Sequence, residues 1–247
     1  MNLLVVDWDY FFPEEGPSSG SPHWFLYDWG HNEMSSFFYD GIWVGRAAAF
    51  ERAGVPRPMT TGEERGFWAR FNIARTATLF YAESNVAVVN RKVYGNTRVK
   101  NLWLYDAHHD SGYKLTLEQI IKAQNVTCED WTAYFHLKHG TRLHMRYPRW
   151  RAWALESEPA PVVPIDRQAD DGGSPSIRFD RVFVCRSGAW TPPWLDAAFE
   201  TFIQAAPVAR RRMLDGDLHP VAPRKWDEEW VAQDLEAMRK VTEGAKQ

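Results

Sequence analysis

Asp7 and Asp9 close the apolar stretch LLVV in LLVVDWDYFF, and Asp106, His108 and Asp110 close a second one, LWLY, in LWLYDAHHD. Each apolar stretch is short and reads as a fully buried strand, so both acidic runs fall where a strand ends. Side chains alternate along a strand, which sends Asp7 and Asp9 to one side and does the same for Asp106, His108 and Asp110. In a parallel α/β sheet, ligands bind at the carboxyl ends of the strands. Two adjacent ends of this kind would gather four carboxylates and an imidazole in one small space. Bare carboxylates so placed repel one another and raise their own pKa values. A divalent cation removes that conflict. Oxygen ligands with one imidazole suit Mn²⁺ best, and Zn²⁺, Fe²⁺ and Mg²⁺ are the other candidates. Either run alone has a plainer reading, a DxD capping a loop or a solvated turn. Two runs, each ending its own apolar strand, point to metal.

LWLYDAHHD is similar to the DAHxD segment of the arginase/agmatinase (ureohydrolase) superfamily, whose fold is related to that of histone deacetylases, and VVDWDYF looks like that superfamily's second, DxD metal motif. Within it the chain resembles the arginase-like UPF0489 group. The likeness covers these two motifs and part of a third. It implies an α/β fold, a three-layer α/β/α sandwich with a mostly parallel, arginase/deacetylase-like sheet, and a binuclear Mn²⁺ centre. By the same likeness Asp106 and Asp7 would bridge the ions, Asp110 would complete one site, and His108 with Asp9 the other. Three features depart from the pattern. The DxD precedes the DAHxD here and follows it in ureohydrolases, which asks for a permuted or differently wound topology. Asn85, in AESNVAVV, stands where a GGDHS-like segment carries a metal-ligating His. Asn offers only a carbonyl oxygen, so one of the two ions is expected to be weakly held or absent. The guanidinium-binding segment after DAHxD is not recognisable, which makes arginine itself a poor substrate.

Other residues could finish such a site. YDWGHNE offers Asp28, His31 and Glu33, with Glu33 loosely like a glutamate that ureohydrolases place after their DxD; a polar loop capped by Asn32 is the competing reading. His136, His139 and His144 follow DAHHD, and His136 is the candidate proton shuttle among them, set against an ordinary helix-surface role. Ser187 and Trp190 in CRSGAW follow a third apolar strand and could line the same cleft. His109 should point away from the metal. Three functions compete. The first is metal-dependent hydrolysis of a C–N bond (amide, amidine or guanidino-type) in a small-molecule substrate, with His31, Glu33 or His136 handling protons. The second is a non-catalytic metal-binding relative. The third is a phosphohydrolase, since VVDWDYF also looks like the nucleophile motif of haloacid-dehalogenase phosphatases, without their downstream Lys and acidic pair.

The elements that must position these residues alternate. Apolar runs at Leu3 to Val6, Leu102 to Tyr105 and Arg181 to Cys185 read as buried strands, with weaker ones at Val86 to Val89 and Val162 to Ile165. Between them the pattern gives helices from Met34 to Ala53, from Leu115 to Gln124, over TCEDWTAYFHLKHG with Thr127 as N-cap and Gly140 as its stop, and from Pro192 or Pro193 to Ala206. A stretch at 156–176, rich in Pro, Asp and Gly, reads as a surface excursion. The segment 226–243 reads as a helix docking on the body. Alternation of this kind implies a mostly parallel sheet in a single domain over 1–247. Net charge is −3, which supplies no general attraction for nucleic acid or an anionic membrane. The run Arg210, Arg211, Arg212 reads as a solvated helix face. Two cysteines, far apart, fit a reducing cytoplasm, and no apolar run is long enough to span a bilayer.

Overall fold

The computed structural model describes residues 1–13, 39–113, 116–123, 126–214 and 224–244. Strand β1 (Asn2–Asp7) is apolar on both sides, and both sides are buried. Leu4 and Val6 enter one core cluster, Leu3 and Val5 another. That is the signature of a central strand in a covered parallel sheet. Six further strands join it among the described residues: β2 (Asn72–Ala82), β3 (Asn101–Tyr105), β4 (Arg142–Tyr147), β5 (Ile165–Ala169), β6 (Arg178–Cys185) and β7 (Arg210–Met213). The order in space is β5-β4-β3-β1-β6-β2-β7, and every neighbouring pair is parallel. The protein is therefore α/β.

Seven α-helices are described: α1 (Tyr39–Ala53), α2 (Arg91–Tyr94), α3 (Leu117–Ala123), α4 (Trp131–His139), α5 (Ala154–Ser157), α6 (Asp196–Ala205) and α7 (Glu228–Gly244). Trp43 of α1 and Phe199, Phe202 and Ile203 of α6 pack with Leu4 and Val6. Val93, Ile120, Trp131, Phe135 and Ala154 bring α2 to α5 onto the opposite face. The expected docking segment is α7, which sets Val231, Leu235 and Met238 against Ala47 and Ala48 of α1. No helix among the described residues is long and apolar enough to cross a membrane.

From β1 the chain moves toward the β2 side of the sheet, and from β3 toward the β4 side. β1 and β3 are neighbours, so the winding reverses between them, and a crevice opens at their carboxyl ends. The register places the acidic runs there. Val6 pairs with Tyr105, so Asp7 and Asp106 leave adjacent strands at the same level.

Several sequence expectations are corrected. The weak strand at Val86 to Val89 is a 3-10 helix (Asn85–Val89), capped by the Ser84 side chain on the Val86 N–H. The strand on that side is β2, masked in the sequence by Arg75 and two threonines. The strand near Val162 to Ile165 is β5, later in the chain, so an edge strand interrupts the excursion at 156–176. Arg210, Arg211 and Arg212 are strand β7, not a helix face. It is an outer strand, and a basic edge discourages pairing with other chains. Near the expected Thr127 cap the Asp130 carboxylate accepts the Thr127 N–H at 2.7 Å, as in one arm of a capping box, but the regular helix α4 begins only at Trp131. Gly140 ends it in the left-handed region, φ 58°.

Candidate metal centre

The two acidic runs meet, though not by strand alternation. β1 ends at Asp7, whose carboxylate accepts the Asp9 N–H at 3.1 Å and starts a 3-10 turn (Trp8–Phe11). That turn carries Asp9 across to the β3 end, where its Oδ1 accepts the Ala107 N–H at 3.4 Å and its Oδ2 lies 3.2 Å from His108 Nδ1. β3 ends at Tyr105, and Asp106 folds back to accept the His108 N–H at 2.8 Å. Asp110 sits in the left-handed region, φ 48°. Its carboxylate Oδ2 thereby receives the Trp131 indole N–H at 2.6 Å.

The cluster has two sides. On one, ligand atoms of Asp9, Asp106 and His108 lie within 4.8 Å of one another. Two carboxylates and an imidazole are the donor chemistry of a divalent cation such as Mn²⁺, Fe²⁺ or Zn²⁺, so these three could hold one. On the other side, neutral donors occupy the acids. Asn85 Nδ2 lies 2.6 Å from Asp7 Oδ2, 3.0 Å from Asp110 Oδ2 and 3.4 Å from Asp106 Oδ2. The Ser187 hydroxyl donates to Asp7 Oδ2 at 2.6 Å. Asn85 is 4% exposed, and its Oδ1 has no hydrogen-bond partner among the described residues.

Burial, followed by the charge of Asp9, pushes the Asp7 and Asp106 carboxyls well above the usual carboxylate range. Burial also raises Asp9, to about 6, against the Ala107 N–H and the Arg151 charge, which both pull it down. Hydrogen bonds from Ser187, Asp9 N–H and Asn85 oppose the rise at Asp7 without cancelling it. Asp7, Asp9 and Asp106, crowded in a dry place, thus hold protons more tightly than in water, as like charges and low dielectric require.

The centre opens into a pocket of about 80 Å³. His108 and Trp190 stand on its wall with ring centroids 5.6 Å apart, and Tyr113, Cys128, Glu129 and Ser187 complete it with the acids. Ser187 is the second non-glycine described residue with positive φ, 51°; Asp110 is the first. Such backbone persists only where its surroundings over-determine it. Here they do. Gly188 donates its N–H to Glu83 at 2.7 Å, and its carbonyl accepts the Trp43 indole and Arg224, each at 2.8 Å. A Cβ at Gly188 would lie 2.0 Å from Glu83 Oε1. Arg186, 1% exposed, joins Glu83 to Asp196 by salt bridges, and Arg224 closes on Asp196 at 2.6 Å.

No family model, curated protein or solved structure shows a significant match to this chain. The functional reading therefore rests on these residues.

Of the residues expected at the site, Asp7, Asp9, Asn85, Asp106, His108 and Asp110 come together. His31 and Glu33, with Asp28, lie outside the described residues. His136 is not brought in: its Nδ1 lies against the Thr141 carbonyl at 3.1 Å, past the far end of α4 from Trp131. His144 stacks on Trp103 and meets Asp166, also away from the pocket. His109 is buried beside the site, its Nε2 on the Pro159 carbonyl at 2.8 Å and its Nδ1 accepting the Ser111 N–H, and burial lowers its pKa. Trp131, Tyr113 and Glu129 were not anticipated. Nothing local in the sequence marks them, since they arrive from a helix start and two loops.

Proposed function

We propose that this protein is a metal-dependent hydrolase of a C–N bond in a small, neutral or cationic substrate. The observation that carries the reading is the convergence of Asp9, Asp106 and His108 at the switch point of the sheet, with a pocket opening beside them. A divalent cation held there supplies positive charge that polarises a carbonyl-like carbon and acidifies a water. The chain's own part would be for Asp9, Asp106 and His108 to hold that cation and for Trp190 and Tyr113, on the pocket wall, to flank the reacting end of the substrate. His108 is half-buried, so its ring edge is reached from the pocket.

The lining supports a C–N bond over a phosphate ester. No lysine or arginine is among the described residues that line the pocket. A phosphate would meet carboxylates with no protein cation to offset them, whereas an amide, amidine or guanidino group carries no negative charge. Asp7 also makes a poor phosphatase nucleophile. It is 2% exposed, and both its oxygens accept protein hydrogen bonds. The likeness of the two acidic motifs to ureohydrolases points the same way.

The test loads chelator-stripped protein with Mn²⁺, Zn²⁺, Fe²⁺ or Mg²⁺ and assays a panel of amides, amidines, guanidines and phosphate esters. Metal-dependent turnover of a C–N substrate, lost in His108→Ala, is the expected result. Turnover of phosphate esters alone would transfer the site to the phosphohydrolase reading. Metal binding without any turnover would leave a non-catalytic metal protein.

A further inference from the structure

We infer that the centre is built for a single divalent ion, because the Asn85 amide, supported by Ser187 and Trp131, fills the place a second ion would take. The inference rests on the metal reading above and specifies how many ions that site accepts.

The hydrogen bonds sort the acids. Asp7 accepts the Asp9 N–H on Oδ1, and both Asn85 and Ser187 on Oδ2 at 2.6 Å. Asp110 Oδ2 accepts Asn85 at 3.0 Å and Trp131 at 2.6 Å. An amide NH₂ has two hydrogens. Asn85 directs them at Asp7 and Asp110, its short contacts, and stands 3.4 Å from Asp106. The oxygens that would face a second cation are thus engaged by neutral donors, while Asp9, Asp106 and His108 gather on the other side.

The orientation of the amide carries a second observation. Its carbonyl Oδ1, buried, has no hydrogen-bond partner among the described residues. A buried amide normally satisfies both ends. Turned the other way, the carbonyl would face three carboxylates. The side chain leaves its acceptor unsatisfied and keeps its donor among the acids, doing there what a cation does elsewhere. The surroundings allow little else. Ser187 is held in the left-handed region by a Gly188 loop locked on Glu83, and Asn85 opens a 3-10 turn capped by Ser84.

The experiment counts ions. Stripped full-length protein is reloaded with Mn²⁺ or Zn²⁺, dialysed, and analysed for metal per chain; Mn²⁺-loaded samples are also examined by electron paramagnetic resonance. Wild type should take one ion and give the spectrum of isolated Mn²⁺. Asn85→Asp is nearly isosteric and replaces the donor with a charged acceptor. It should take two and give a spin-coupled pair. Two tight ions in wild type would overturn the inference and leave the metal reading standing. One ion in both proteins would also overturn it, since removing the donor should open the second place. No ion in wild type with any metal would remove the metal reading itself. Circular dichroism checks folding. Should Asn85→Asp not fold, Asn85→Ala is counted instead at higher Mn²⁺ concentration, with the same expectation of a second ion.

Discussion

Two parts of this protein bury carboxylates, and they neutralise them in opposite ways. Behind the Ser187 loop, Glu83 and Asp196 are met by Arg186 and Arg224 in a closed ion network. Asp170, 5% exposed, is likewise met by Arg70 at 2.6 Å and by the Tyr10 hydroxyl. At the ends of β1 and β3, Asp7, Asp9 and Asp106 have no arginine or lysine within salt-bridge reach among the described residues. The Arg151 charge pulls Asp9 down without returning it to its usual range. The pKa directions follow. Burial raises Asp170, but Arg70, Tyr10 and the Gly172 N–H outweigh it and hold the carboxyl below its usual range, while Asp7, Asp9 and Asp106 sit above theirs. Arginines thus offset Asp170, Glu83 and Asp196, whereas Asp7, Asp9 and Asp106 are met by the His108 ring and by neutral donors.

The strongest way to break this contrast is Asp106→Asn. If Asp106 is a ligand, removing its charge should weaken Mn²⁺ or Zn²⁺ binding by more than about 100-fold, beyond the 10- to 100-fold typical of supporting residues. It should also abolish most of the rise in melting temperature that the ion confers. Asp7→Asn, on the donor-filled side, should change affinity by less than about tenfold on the same scale. Isothermal titration calorimetry separates them. Equal losses would erase the distinction between the two sides of the cluster.

The closed network gives the next effect. Arg186→Met leaves Glu83 and Asp196 buried without their shared guanidinium, and breaking a buried pair from one side costs about 3–5 kcal/mol. Urea unfolding of stripped protein measures it. A cost below about 1 kcal/mol, the range of exposed pairs, would mean that the network is no more than surface decoration. Gly188→Ala should follow, at about 1–3 kcal/mol for overpacking, because its methyl group would meet Glu83 and push the loop that carries Ser187. Metal affinity on the Asp9, Asp106, His108 side should survive that change to within about tenfold, since the Ser187 hydroxyl bonds Asp7 and the loop approaches that side through the Trp190 ring, 5.6 Å from His108.

The contrast was half legible in the sequence. Asp7, Asp9, Asp106, His108 and Asp110 could be found because each run ends an apolar strand, and parallel sheets bring such ends together. Asn85 could be found because it departs from a motif. The route by which Asp9 and Asp110 reach the cluster was not legible, because a 3-10 turn and a left-handed residue replace the pleat, and neither leaves a local pattern. The donors Ser187 and Trp131 differ in the same way. Ser187 follows a strand and was a candidate for the cleft, while Trp131 opens a helix and looks like any core tryptophan. Strands β4 and β7 were hidden by polar alternation and by arginines, since an edge or near-edge strand needs only one apolar face. The ion network was invisible, since Glu83, Arg186, Asp196 and Arg224 come from four separate segments.

The smallest expected effect tests the arginine-neutralised side through pH. Asp170 has a folded-state pKa below its unfolded value, so the folded state favours its charged form. Its contribution to stability is then fully present above the ordinary carboxylate range. It is lost as pH falls through that range toward the lower folded value, because the unfolded chain takes up the proton first. Arg70 and Tyr10 are the groups whose hydrogen bonds hold the pKa down. Asp170→Asn should therefore lower stability at pH 7 and flatten its decline in acid, relative to wild type, over the interval where aspartates titrate. Urea unfolding midpoints of stripped protein at pH 7, 5, 4 and 3 give the comparison. The raised carboxyls Asp7, Asp9 and Asp106 have the opposite sign of linkage, and they are common to both proteins, so they cancel in the difference between wild type and variant. Parallel acid profiles would show that Arg70 gives Asp170 no net advantage in charge. The contrast between neutralised and open acids would then rest on the strand-end cluster alone.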